Sequence, residues 1–179
     1  MSLQVLVTGA NGFVGKAVSR ALLRRGDGVL GAVRRAQSAA DGVREWLLDV
    51  DDFAGIEARW PVGVGCDAVI HLAARVHVMH ESVTDPLAAY RATNVDGALR
   101  VAAAARRAGA RRFVFVSSIK AVGEASTAGP MAEADPPAPV DPYGISKLEA
   151  ERALVDYGRA SDLEIVIVRP PLVYGPGVR

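Results

Sequence analysis

A chain of 179 residues, half of them apolar and with a formal net charge of +1, is long enough for one domain with a proper core and too short for two comfortable ones. The even charge excludes the basic footprint that would point to nucleic acid or a membrane surface. The lone Cys66 cannot close an internal disulfide, no apolar run approaches the ~20 residues of a spanning helix, and a first strand at Leu3 leaves no room for a signal peptide. The expectation is therefore a single cytoplasmic domain over residues 1–179.

The first apolar run, Leu3 to Thr8, is short and continuous, as expected of a central parallel strand buried on both faces. It leads into the glycine turn Thr8-Gly-Ala-Asn-Gly-Phe-Val-Gly15. From Phe13 to Arg25 the apolar residues Phe13, Val14, Ala17, Val18, Ala21 and Leu22 fall at helical spacing, and Gly26 is placed to end the helix. In such a turn Gly9 supplies a positive φ, Gly12 lets the backbone approach a pyrophosphate, and Gly15 allows the helix to pack close to a strand. The helix N-terminus then offers free N–H groups to phosphate. A second strand, Gly28 to Val33, is followed at once by Arg34 and Arg35. An acid there would bond the ribose 2′-hydroxyl of NAD, whereas an arginine pairs with the 2′-phosphate of NADP, so the sequence favours NADP(H) over NAD(H).

A third strand over Trp46 to Val50 brings Asp49 to its end. A carboxylate there could accept from an adenine amino group, or an acid here could cap a helix suggested over Asp51 to Ala58. Both roles stay open, and those of Asp49 and Asp51 can differ. Cys66 to Leu72 makes a fourth strand running into Ala73 and Ala74, whose small side chains leave room for a cofactor at the carboxyl edge of a parallel sheet. His71, His77 and His80 match no recognised ligand spacing, so no metal is expected, and His71 reads as a hydrogen-bonded structural histidine. Asp85-Pro86 opens a long Ala-rich helix ending near Gly109. Asn94 lies mid-helix, placed to bond backbone or order a water. Arg111 to Ser118 is a fifth strand delivering Ser117 and Ser118, and Ile119 to Val140 is a long loop. Asp141-Pro142 opens a helix with Tyr143 and Lys147 four apart on one face, and Leu163 to Val168 is a sixth strand. Strands alternating with helices define an α/β protein with a doubly wound parallel sheet of Rossmann type.

Tyr143, Lys147 and Ser118 form a plausible acid/base set. A free phenol titrates near ~10, and a nearby ammonium together with a cationic nicotinamide would favour the phenolate. Ser118 would hold a substrate hydroxyl or carbonyl while Tyr143 moves its proton. On the Tyr-x-x-x-Lys spacing alone, a buried tyrosine packed on a lysine stem is the better reading, because that spacing often arises by chance.

Thr8-Gly-Ala-Asn-Gly-Phe-Val-Gly15, His71-Leu-Ala-Ala74, Ser117-Ser118, Tyr143-Gly-Ile-Ser-Lys147 and Arg169-Pro-Pro-Leu-Val-Tyr-Gly-Pro-Gly177 stand in the order and spacing of the extended short-chain dehydrogenase/reductases. Together they resemble the nucleotide-sugar epimerase/dehydratase branch, and look most like bacterial surface-polysaccharide 4-ketoreductases and 4-epimerases. The resemblance implies a cofactor held by Gly9, Asn11, Gly12, Phe13, Val14 and Gly15 at the pyrophosphate, Asp49 and Val50 beside adenine, and Leu72, Ala73 and Ala74 along its length. It also implies Arg34 at the ribose, Pro170 near the nicotinamide, and Ser118, Tyr143 and Lys147 in catalysis, with Tyr143 and Lys147 also touching the cofactor. It implies hydride transfer at C4 of a UDP- or dTDP-linked hexose, and a homodimer through the helices beginning near Asp85 and Asp141. Members run to about twice this length, so a substrate-binding C-terminal part is expected to be missing. Reduction of a non-sugar ketone, or a non-catalytic dinucleotide sensor, are the rival expectations.

Overall fold

The computed structural model describes residues 2–49, 51–76, 84–125 and 129–178. Six parallel strands, β1 (Gln4–Thr8), β2 (Gly28–Val33), β3 (Arg44–Leu47), β4 (Ala68–His71), β5 (Arg112–Val116) and β6 (Glu164–Val168), lie in the order β3-β2-β1-β4-β5-β6. The chain leaves β1 toward β2 and β3, then returns to the other side of β1 for β4, so the order reverses between β1 and β4. In a doubly wound sheet that reversal opens a crevice at the carboxyl ends of the strands.

Helix α1 (Phe13–Arg25) covers one face. Leu22 and Leu23 pack there on Val5, Val7, Val29 and Val33. On the opposite face Val101 and Ala105, with Leu154, pack on Leu6, Val69, Phe113 and Phe115. The alternation of Val5 and Val7 with Leu6 shows β1 buried on both sides, as its unbroken apolar run implied. Helix α1 ends on Gly26, whose φ of 89° lets its N–H return to the last turn.

Two expected elements differ. No helix forms over Asp51 to Ala58, where the backbone makes successive turns. Phe53 takes a φ of 58° and Gly55 one of 70°, and the Asp52 carboxylate accepts from the Ala54 N–H at 3.0 Å. The left-handed step drives the Phe53 ring into the core, 5.7 Å from His71, and that burial outweighs the capping signal. The Ala-rich helix is also not continuous. It comprises α2 (Pro86–Arg91), a π-helical turn (Ala92–Asp96) and α3 (Gly97–Arg107), and the wide turn inserts Asn94 inward. The third strand ends at Leu47, so Asp49 lies beyond it, and Val50 lies outside the described residues. Between β5 and β6 runs α4 (Pro142–Ser161), capped by Asp141 through the Gly144 N–H at 2.6 Å. Among the described residues no helix is long and apolar enough to cross a membrane.

Candidate functional site

At the order reversal the carboxyl ends of β1, β2 and β4 enclose a cleft of about 400 Å³. Its lining includes Gly9, Asn11, Gly12, Ala32, Val33, Arg34, Leu72, Ala73 and Ala74, and also Leu48, Asp51, Phe53, Arg75, Val76 and Thr93, which sequence reasoning did not single out for the cofactor. The glycines are fixed by contact as well as by φ. Gly9 sits at φ 66°, and a Cβ there would come within 3.0 Å of the Ala73 nitrogen. A Cβ on Gly12 would meet the Gly9 carbonyl at 3.3 Å, and one on Gly15 would overlap that carbonyl outright. Gly15 thus keeps the start of α1 against the turn itself, which corrects the expectation of helix-on-strand packing.

The N-terminus of α1 differs from those of α2 and α4. Asp85 and Asp141 each place a carboxylate on their helix's first N–H groups, at 3.0 and 2.6 Å. Helix α1 begins on Gly12 with no side-chain cap and no acid in its first turn. Its polar end is left for a ligand, and the partial positive charge there suits a phosphate. Phe13, Val14 and Gly15 form this turn of helix beside the cleft rather than its lining.

The opposite wall is held by Thr8. Its hydroxyl oxygen accepts from the Leu72 and Ala73 N–H groups, both at 3.1 Å, and contacts His71 Nδ1 at 2.9 Å. With both backbone bonds accepted, the hydroxyl can donate to Nδ1, while His71 Nε2 has no hydrogen-bond partner among the described residues. His71 is fully buried among Phe53, Phe113 and Phe115. Burial, reinforced by the Lys147 charge, pushes its pKa down to about 3, so it is a neutral structural histidine. His77 and His80 lie outside the described residues. Asn94 steadies the next stretch: its Oδ1 accepts from the Arg75 N–H at 2.8 Å, and its amide donates to the Arg75 carbonyl and Ser146 Oγ.

Arg34 stands on the cleft's rim, its Nη1 2.7 Å from Asp51 Oδ1. Asp49 does not line the cleft; its Oδ1 accepts from Arg59 at 2.9 Å, and that bond holds its carboxyl below the usual range.

Farther along the sheet edge, Tyr143 opens α4, with Ser118 near enough to act on its phenol. Its ring is 6.2 Å from that of Tyr90, whose hydroxyl donates to the carbonyl of Val76 on the cleft wall. Burial pushes the Tyr143 phenol above its ordinary value, against the opposing influence of Ser118. The cation acting on that phenol is Lys120, which sequence reasoning missed. Lys120 Nζ bonds Asp141 at 2.6 Å and Glu124 at 3.1 Å. Lys147, the expected cation, instead donates to the Val116 carbonyl at 2.7 Å and lies 4.1 Å over the Phe115 ring. Burial brings its pKa down to about 7, with the Glu151 carboxylate opposing. Pro170 accepts from the Ile119 N–H at 3.0 Å, beside Ser118 and outside the cleft lining.

Residues 5–179 match the NAD dependent epimerase/dehydratase family. The chain belongs to that family. It is 41% identical over its whole length to a UDP-glucose 4-epimerase of Vibrio cholerae, covering 54% of that protein. In solved structures it resembles the Thermus thermophilus UDP-glucose 4-epimerase complex with NAD, at TM-score 0.84 and 33% identity over 99% of this chain and 58% of that one. It also resembles the Thermotoga maritima UDP-glucose 4-epimerase with UDP-glucose, at TM-score 0.82 and 28% identity over 97% and 57%. The chain thus spans about half the length of these family members.

Proposed function

We propose that this chain is the cofactor-binding domain, residues 1–179, of a nucleotide-sugar 4-epimerase or 4-ketoreductase acting on a UDP- or dTDP-linked hexose in the cytoplasm. The observation that carries the reading is the uncapped start of α1 at a glycine cradle that any Cβ would disturb, opening on the cleft at the sheet's reversal. That cradle fits the pyrophosphate of a nicotinamide dinucleotide. Gly9, Asn11 and Gly12, followed by Phe13, Val14 and Gly15, would hold it, with Leu72, Ala73 and Ala74 along the opposite wall. Asp49 and Val50 remain proposed for the adenine end. Arg34 favours NADP(H), although its bond to Asp51 leaves NAD(H) within reach.

When bound, the cofactor would supply hydride chemistry at C4 of the sugar. Ser118 would hold the C4 oxygen, and Tyr143, whose phenol Ser118 influences, would relay its proton. Lys147 would hold the nicotinamide ribose and Pro170 would pack near its ring. Burial raises the phenol's pKa, and the positive charge of an oxidised nicotinamide brought beside it would favour the phenolate. As a homodimer the enzyme would use the α2 and α4 faces, which the Arg91–Glu149 pair already links within one chain.

The test is NAD(P)-dependent interconversion of 4-epimeric UDP-hexoses by the polypeptide carrying this chain at its relatives' length. Tyr143→Phe should abolish turnover while retaining cofactor binding. Turnover unchanged by Tyr143→Phe, or reduction of only a non-sugar ketone, would overturn the reading. The 179-residue chain alone should show cofactor binding and negligible sugar turnover.

A further inference from the structure

The cleft's rim carries two opposite charges at one point. Arg34 follows the end of β2 and Asp51 follows β3, and their side chains meet at 2.7 Å while both line the cleft. The neighbouring acid, Asp49, is taken up by Arg59 instead. At the carboxyl ends of β2 and β3 the described residues thus present the Arg34 guanidinium and the Asp51 carboxylate side by side to an entering ribose substituent.

These two groups ask for different ligands. A phosphate monoester on the ribose gains from the guanidinium, which can bond its oxygens bidentately, yet it is repelled by a carboxylate at the same place. A free ribose hydroxyl is neutral, donates readily to a carboxylate, and leaves the ion pair intact. Resting on the dinucleotide reading above, we propose that Asp51 is a specificity-determining residue: it occupies Arg34 and narrows the cleft's preference for a 2′-phosphorylated dinucleotide.

Both side chains are about two-thirds exposed, at 68% and 64%, so the pair is screened and opens at little cost. The phosphate's access to Arg34 is restrained rather than blocked, and the selectivity it sets is a modest ratio. Exposure also means that neither residue carries the core, so substitutions there spare the fold.

The experiment is calorimetric titration of the chain with NAD⁺ and with NADP⁺, for the wild type, Asp51→Asn, Arg34→Ala and the double variant, with circular dichroism to verify folding. Asp51→Asn should raise the ratio of NADP⁺ to NAD⁺ affinity by about fivefold, roughly 1 kcal/mol, through tighter NADP⁺ binding. Arg34→Ala should lower that ratio, and in its background Asp51→Asn should lose most of its effect. Added salt should shrink the wild-type ratio. A ratio that stays within twofold in Asp51→Asn, or moves toward NAD⁺, overturns the proposal while leaving the dinucleotide reading intact. Absence of binding by either dinucleotide to the wild type overturns that reading and the proposal with it. Asp51→Ser serves as a second neutral variant, with the same expected shift.

Discussion

Arg169 grips the Glu151 carboxylate with two nitrogens, Nε at 3.0 Å and Nη2 at 2.6 Å, and the same carboxylate accepts from the Ser117 hydroxyl at 2.5 Å. Glu151 is almost fully buried. It ties helix α4 to the ends of β5 and β6, and so to Ser118 and Pro170, the residues next in sequence to Ser117 and Arg169.

Removing one member of this set strands the others. Glu151→Ala should destabilise the chain by about 3 kcal/mol, because it leaves a partly buried guanidinium and a buried hydroxyl without their acceptor. Glu151→Ala with Arg169→Met should recover part of that loss. Urea unfolding of the single and double variants measures both effects.

The Thr8 hydroxyl serves two backbone N–H groups and one imidazole. Thr8→Val keeps the shape and removes the acceptor, so it should cost about 2 kcal/mol and loosen the Ala73 wall. Thr8→Ser should restore most of the stability. Thermal unfolding of the two variants distinguishes hydrogen bonding from packing.

Lys147 gives stability an unusual pH dependence. Its folded pKa, about 7, lies below its ordinary 10.5, so between those values the unfolded chain binds a proton that the folded chain does not. Stability should therefore rise with pH above 7, by up to about 1.4 kcal/mol per pH unit. Cys66 acts in the opposite sense from its ordinary 9.0 upward, since burial raises its folded pKa to about 11. The rise should thus be seen cleanly between pH 7 and 9, and Lys147→Met should abolish it. His71 adds a second rise at lower pH: its folded pKa of about 3 against 6.5 means stability falls as pH drops below 6.5. Denaturant titrations at stepped pH test both windows.

The sheet, the glycine turn and α1 were legible because their signals are local: an apolar run, glycines at fixed spacing, and Gly26 past a periodic helix. The hydrogen-bonded, structural character of His71 was legible as well. What escaped depends on side chains meeting across the fold. The Phe53 ring overrode the capping acids before it, and Asn94 widened a helix whose Ala-rich composition reads as regular. Lys147, expected beside Tyr143, instead lies over the Phe115 ring, and Lys120, which no sequence motif placed, bonds the cap of α4. Glu151 carried no motif of its own, and the partners of Arg169 and Asp51 appear only in the fold.

Gly15→Ala probes the cradle from its far side. The added methyl overlaps the Gly9 carbonyl, so it should lower stability by about 1 to 3 kcal/mol and weaken dinucleotide binding by about tenfold or more. Ala at Gly129, where a Cβ meets open space, is the matched variant and should leave binding unchanged, as followed by fluorescence titration.

Binding of a nicotinamide dinucleotide in the cleft at the start of α1 is tested most directly by calorimetric titration of the chain with NADP⁺ and NAD⁺, wild type beside Gly12→Val. Gly12 has a φ of −73°, which valine tolerates, so the branched side chain fills the cradle while the Gly9 carbonyl, 3.3 Å from the new Cβ, gives by a few tenths of an ångström. Saturable one-to-one binding by the wild type that is lost in Gly12→Val is the predicted result. Wild-type binding that never saturates, or that survives Gly12→Val undiminished, would contradict it.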